Sequence, residues 1–326
     1  MSQYFMIAGR ITLALAALVL CAAPWMFSPA TLVILTQALT MMTLAMLWNL
    51  VAGYGNVVVI GQHAFVGIGA YVFYAAAVVM GYPISVAIGI ATLVTLVFGA
   101  AVYGLLFRLR LAYLAVGSWV VAETIMLIAS RIEIFGGGSG ASLPPALLKT
   151  LGARPADRLA TTYGLVLGLA LVTFFAVWWL MRSRIGLALA ALRDSEEGAA
   201  VAGVDTRLVR AATFILAAPF VGLVGVLVTL QKARISHVAS FSMLDWTIYV
   251  LFIVVIGGMG SLEGPILGTI IFFVLRELLQ DYGSLYLITL GAIGIAVILF
   301  APKGAWGVAR RRLGHDLIPL THQPKN

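Results

Sequence analysis

Charge is scarce in this sequence. Only 10% of its 326 residues are Asp, Glu, Lys or Arg, 62% are hydrophobic, and the mean hydropathy of +1.08 lies outside the range of soluble globular domains. Cysteine is scarcer still, and the single Cys21 excludes an intramolecular disulfide and any cysteine-cluster metal site. No His-Glu-x-x-His, paired-histidine metal spacing, Gly-x-Ser-x-Gly or Walker A sequence is present, so nothing argues for an embedded enzyme. The run Gly136-Gly137-Gly138-Ser139-Gly140 has no preceding strand and no following Gly-Lys-Ser/Thr; it reads as a mobile turn rather than a phosphate loop. The formal charge of +8 lacks the interleaved aromatics that would ask for nucleic acid.

What is present is apolar length. Runs able to cross a bilayer fall at roughly 11–27, 31–51, 57–80, 84–107, 112–131, 161–181, 211–231, 244–258, 265–280 and 285–301. Backbone polar groups in hydrocarbon must be satisfied within their own segment, and the runs lack the alternation of a β-barrel, so the spans are helices. The expectation is an all-α polytopic membrane protein of about ten transmembrane helices, with broken or re-entrant segments and an internal repeat. Arg10 and the apolar run after it resemble a signal peptide, but Leu20 is too large before a lipidated cysteine and Pro24 blocks cleavage, which predicts an uncleaved first helix. With both termini cytoplasmic, the inside segments hold Arg10, Arg108, Arg110, five arginines from Arg182 to Arg210, Lys303, Arg310, Arg311, Arg312 and Lys325. The outside segments hold Arg131, Lys149, Arg154, Arg158, Lys232 and Arg234, which gives the positive-inside bias. The basic balance then orients the chain and meets anionic headgroups.

The longest charged interval between two spans, 182–210, carries five arginines, two aspartates and two glutamates in 29 residues. Arg193 and Glu197, spaced i,i+4, are placed to pair on a helix surface, and Ala188, Leu192, Ala199 and Ala202 recur at helical spacing on a small-residue face. Two glycine-interrupted apolar regions, 53–69 with Asn56, Gln62 and His63, and 257–268, suggest a repeat with a pathway between its copies. They place Gln62, His63, Gly257, Gly258 and Gly260 around a central cavity. Gln62 is expected to line it, and His63 to make a structural hydrogen bond. Glu123 should face protein or water, since an acid at the bilayer centre costs about 2.5–3.5 kcal/mol on insertion scales. A stand-alone carrier or channel for a small neutral or zwitterionic solute is the competing transport class. Its proton-coupled form wants acids repeated in the spans, and Glu123 is nearly alone, with Glu277 and Asp281 near a helix end.

From about Asn49 to Gly307 the chain resembles the LivM-type permease subunit of bacterial branched-chain amino acid ABC importers. The resemblance rests on Asn49-Leu50-Val51-Ala52-Gly53-Tyr54 with 61–71; on Arg108-Leu109-Arg110; on Arg184-Ile185-Gly186 with 190–194; on 256–265; and on Ala301-Pro302-Lys303-Gly304. It implies one permease domain over 1–326, with 182–210 a cytoplasmic ATPase-coupling loop and 132–160 a periplasmic loop. Glu197-Gly198-Ala199-Ala200-Val201-Ala202-Gly203 fits the family's Glu-Ala-Ala-x-x-x-Gly docking pattern with glycine in second place, so Arg193, Asp194, Glu197, Ala199 and Gly203 become coupling residues. His63 is displaced by one position, since the family commonly puts it directly after the glycine. The implied partners are a second, LivH-type permease chain, two ATP-binding subunits and a periplasmic solute-binding protein in a bacterial inner membrane. The chain itself then needs no cofactor, ATP being bound by its partners, and the substrate class is branched-chain amino acids or related amides and urea.

Overall fold

In a computed structural model, the structure describes residues 18–109, 111–279, 282 and 285–313. Arg10, Arg110, Asp281, Lys325 and residues 11–17 of the expected first span lie outside the described residues.

Helix α1 (18–26) is followed by α2 (Pro29–Trp48), which Ser28 caps by accepting from the Thr31 N–H with Pro29 in the first turn. Helix α2 runs on as a π-helix over Asn49–Tyr54, and α3 (Gln62–Tyr74) does the same over Ala75–Val79. Then come α4 (Ile84–Leu106), α5 (Leu111–Arg131), a short α6 (Pro145–Lys149) and α7 (Pro155–Met181). The charged loop holds α8 (Arg184–Asp194) and α9 (Glu196–Val201), and Asp205 caps the long α10 (Thr206–Lys232) through the Arg207 and Leu208 N–H groups. A turn, α11 (His237–Ser240), leads through π-helical Leu244–Ile248 into α12 (Tyr249–Gly257). After α13 (Glu263–Leu279), helices α14 (Leu285–Phe300) and α15 (Gly304–Leu313) finish the described chain. Threonines inside α2 bond to their own helix: Thr36, Thr40 and Thr43 donate to the carbonyls four residues earlier at 2.7–2.8 Å, so these three hydroxyls are satisfied in an apolar surround.

Seven helices among the described residues are long and apolar enough to cross a membrane, or eight when the 46° bent pair Leu287–Phe300 and Gly304–Arg312 counts as one span. The expected count of about ten is not reached. The described part of α1 is short, and α13, at 17 residues, rises only about 25 Å against a hydrocarbon core of about 30 Å. Nor do the glycine-interrupted regions look like copies of one another: the first starts at the end of a π-helix and runs into α3, and the second is a sharp turn after Gly257.

Burial sorts the bundle into layers. The span containing α3 is 72% buried and α10 61%, whereas α4 and the α5 span are 22% buried, so α3 and α10 form the interior against which the others pack. Their crossing is close enough for backbone contact, as small residues permit: a Cβ on Gly225 of α10 would land on the Val66 carbonyl of α3, and one on Gly69 would land on the Gly222 carbonyl. Around this contact Phe65, Val66, Phe214, Val221, Val224 and Val228 form part of the main apolar cluster.

The two ends of the bundle differ in kind. At one, strands β1 (Ala141–Ser142) and β2 (Arg234–Ile235) pair antiparallel, Ala141 opposite Ile235, and Arg234 donates to the Ser139 carbonyl at 3.0 Å. At the other, the Tyr103 hydroxyl donates to the Arg207 carbonyl at 2.7 Å and Arg210 Nε to the Gly55 carbonyl at 3.2 Å. Segments 132–160 and 231–245 thus share one end, and the Arg108 turn and the charged loop share the other, the same grouping as the arginine count.

Candidate functional site

The charged loop is built by its serines. Ser183 caps α8 through the Ile185 N–H, and Ser195 ends α8 and restarts the chain as the cap of α9 through the Gly198 N–H. This break puts Arg193 and Glu197 on different helices, so the i,i+4 pair expected from their spacing does not form. Arg193 instead meets its neighbour Asp194 at 3.3 Å, an exposed contact worth little. The small-residue face is broken in the same way: Leu192 and Ala199 are buried, on separate helices, while Ala202 is exposed. The ion pair that closes the loop was missed in the sequence. Arg210 Nη1 and Nη2 donate to the two Glu196 oxygens at 2.8 and 2.9 Å. Those hydrogen bonds hold the Glu196 carboxyl below its ordinary range, so the pair is intact at neutral pH and is lost only as pH falls through the lowered value.

Gly203 has φ +83, and its N–H bonds the Ala200 carbonyl while that of Val204 bonds the Ala199 carbonyl, both at 3.0 Å. This is a Schellman stop, which asks for glycine on conformational grounds. Glu197 is exposed, and Val201 projects almost wholly, 91% exposed, from α9. An apolar side chain so placed on a charged loop went unremarked in the sequence.

Arg193 also reaches inward. Its Nη1 donates to the Gly260 carbonyl at 3.0 Å, in the turn between α12 and α13. The N–H of the same Gly260 donates to Asn49 Oδ1 at 2.8 Å, and Asn49 Nδ2 donates to the Ser261 carbonyl at 2.8 Å. Asn49 is 2% exposed and opens the π-helical end of α2. The turn can lie this close because Gly258 and Gly260 adopt φ +122 and +71, and a Cβ on Gly53 would come within 2.7 Å of the Gly260 nitrogen. Helix α15 supports it from behind, a Cβ on Gly258 meeting the Lys303 carbonyl at 2.7 Å. The two glycine regions therefore touch, through a residue the sequence gave no reason to single out beyond the family resemblance.

Gln62 and His63 are not part of this contact. His63 is fully buried, with Nδ1 3.1 Å from Thr247 Oγ1 and Nε2 3.7 Å from Glu123 Oε1; that carboxylate also accepts from the Trp119 indole at 3.1 Å. Thr247 and Gly257 are ten residues apart on one helical run, about 15 Å, so His63 stands near one end of it and Gly258 and Gly260 beyond the other. Gln62, 6% exposed, lines a cavity of about 30 Å³ with Trp48, Phe65 and Phe214, room for a water molecule. His63→Ala is expected to lower the melting temperature by removing the Thr247 partner, a loss of about 1–3 kcal/mol, while leaving transport per folded molecule unchanged. Reduced transport at unchanged stability would instead put His63 in the pathway.

The described residues form a multi-pass helical bundle whose charged loop bonds directly to a helix break within it. The chain belongs to the branched-chain amino acid transport system permease family, whose profile matches residues 30–301. It is 30% identical over 312 residues to the high-affinity branched-chain amino acid transport system permease protein LivM of Escherichia coli K12, covering 89% of this chain and 73% of that one. The Salmonella typhimurium LT2 protein of the same description is 29% identical with the same coverage. A probable branched-chain amino acid transport permease protein LivM of Methanocaldococcus jannaschii is 27% identical over 197 residues, 60% of this chain and 56% of that one. No solved structure matches the chain. Family and apolar helices together make it a multi-pass inner-membrane protein.

Proposed function

We propose that this chain is the transmembrane permease subunit of an ATP-driven importer for branched-chain amino acids. It would pair with a second, LivH-type permease chain, two ATP-binding subunits on the cytoplasmic face and a periplasmic binding protein. The observation that carries the reading is the direct path from Arg193 through Gly260 to Asn49, by which a displacement of the charged loop reaches two helix ends inside the bundle. In the proposed cycle a partner acting on this path biases one of two arrangements of the pathway. The chain lacks a phosphate loop, so ATP is held by the partners, and an apolar interior suits a zwitterionic or neutral solute.

Reconstitution with and without the partner subunits tests the reading: uptake of labelled leucine should require them and ATP. Within that assay Val201 is a sharper probe of docking than Gly203, where any side chain strains the helix stop. Val201→Asp leaves a solvent-facing position folded and is expected to reduce ATP-driven uptake about tenfold or more, the loss of one buried apolar contact plus a desolvated charge. Uptake at the normal rate would remove α9 from the docking surface.

The proposed topology has both termini and the Arg182–Arg210 loop cytoplasmic and 132–160 periplasmic. In sealed cells of a variant lacking Cys21, a cysteine at Ser139 should react with an impermeant thiol reagent, and one at Ser195 should not. The opposite labelling pattern would invert the orientation.

A further inference from the structure

At the charged end of the bundle a cavity of about 350 Å³ opens between the end of α7, α8, the Gly260–Glu263 turn and α15. Arg182, Arg184, Arg193 and Arg310 line it, with the carboxylate of Glu263 as the acidic member. Arg182 follows directly on Met181, the last residue of a helix long and apolar enough to cross a membrane. Along the same faces of α2 and α7 the lining changes character. Tyr54 and Met181 border the basic cavity, whereas Leu50, one turn back on α2, and Leu180 border a second crevice of about 160 Å³. That crevice contains Leu47, Val177, Leu216 and Phe220 and no charged side chain, and Leu216 at its edge is half exposed.

We infer that the two together form a binding site for an anionic phospholipid, the phosphate against the arginines and an acyl chain in the crevice between α2, α7 and α10. Basic pockets between transmembrane helices take such headgroups, and guanidinium forks match phosphate oxygens in pairs. A free phosphate or an acidic protein segment would account for the arginines but would leave the adjoining uncharged crevice without a purpose. A lipid seated there touches the α7–α8 joint, next to the Arg193 contact with Gly260, so its occupancy stiffens the base of the charged loop. The inference stands on the membrane placement of the chain and not on the proposed transport cycle; its test reads lipid binding, so it fails or succeeds separately from that reading.

The full-length chain, purified in a zwitterionic detergent, is titrated with phosphatidylglycerol, with phosphatidylcholine of the same acyl chains, with inorganic phosphate and with polyglutamate, binding being read by native mass spectrometry and by competition. Both lipids carry the phosphodiester, but the choline ammonium is repelled by the arginines and cancels its charge, so phosphatidylglycerol should bind at least about tenfold more tightly than phosphatidylcholine. In Arg184→Gln/Arg310→Gln that preference should vanish. Leu216→Trp, which fills the crevice from an exposed position and keeps the fold, should weaken both lipids. Equal binding of the two lipids, retention of the preference in the double variant, or no effect of Leu216→Trp would overturn the site. Competition by phosphate alone or by polyglutamate as strong as that by phosphatidylglycerol would likewise reassign the cavity, to a free anion or to an acidic protein segment.

Discussion

Gly225→Leu is expected to yield almost no folded protein. The position lies where α10 crosses α3, and a Cβ there meets the Val66 carbonyl oxygen and, at 3.1 Å, the Ala70 nitrogen. Those are backbone atoms held in α3 and cannot swing aside as a flexible side chain would. Adjacent positions allow no escape, because a Cβ on Gly69 meets the Gly222 carbonyl and one on Gly222 meets Thr95 of α4. A leucine therefore has to separate the two most buried spans of the bundle, losing the contacts among Phe65, Val66, Val221, Val224 and Val228. Helix association in a membrane rests on such close packing, without the hydrophobic drive available in water, and the cost falls in the tail above about 4 kcal/mol reserved for clashes of this kind. The check is the yield of monodisperse protein in mild detergent, compared with Gly164→Leu at an exposed position of α7, where no atom lies within 4 Å of the new Cβ. We expect the control near the parent level and Gly225→Leu at least about tenfold below it, as an equilibrium shift of more than 1.4 kcal/mol requires; equal yields would mean that the crossing can open without loss.

The contrast between those two glycines marks where sequence reading stops. Apolar length and arginine asymmetry are properties of segments, and they gave the helical membrane class and the grouping of loops at the two ends. Which glycine meets a backbone is a property of pairs of segments, so Gly164 and Gly225 look alike until α3 is in place. The π-helical segments at Asn49–Tyr54, Ala75–Val79 and Leu244–Ile248 were equally silent, since one inserted residue in a helix leaves no hydrophobic period of its own. Ser195 was legible and was passed over: a serine followed by two glutamates is a helix start, and it should have outranked the Arg193–Glu197 spacing. Gln62 and His63 were grouped with Gly257–Gly260 around one cavity; both side chains are buried, and they stand at the opposite end of one helical run from those glycines. Asn49 stood in the sequence as the start of a family-like stretch, and its partners at Gly260 and Ser261 lie more than two hundred residues away.

On the proposed importer reading, Asn49→Ala is expected to uncouple transport from ATP to a degree that its effect on stability does not explain. The side chain satisfies two backbone groups of the α12–α13 turn, each at 2.8 Å, and is itself buried. Alanine leaves the Gly260 N–H and the Ser261 carbonyl without that partner, a cost of about 1–3 kcal/mol for each group that water does not reach. The turn keeps its other supports: Ser261 Oγ still donates to the Gly258 carbonyl at 2.9 Å, and α15 still backs Gly258. A lowered melting temperature with an intact fold follows. What the turn loses is its tie to α2, so a pull from Arg193 on the Gly260 carbonyl no longer moves the π-helical end of that helix. Uptake per folded molecule should then fall while the stimulation of partner ATPase activity by substrate disappears, a signature that a merely softened bundle would not give. Arg193→Ala breaks the same path at its other end, so the double variant should transport no worse than Asn49→Ala alone, the non-additivity expected of residues acting through one contact. Losses that simply multiply in the double variant would show that Asn49 and Arg193 act independently and that the Gly260 turn is not the link between loop and bundle.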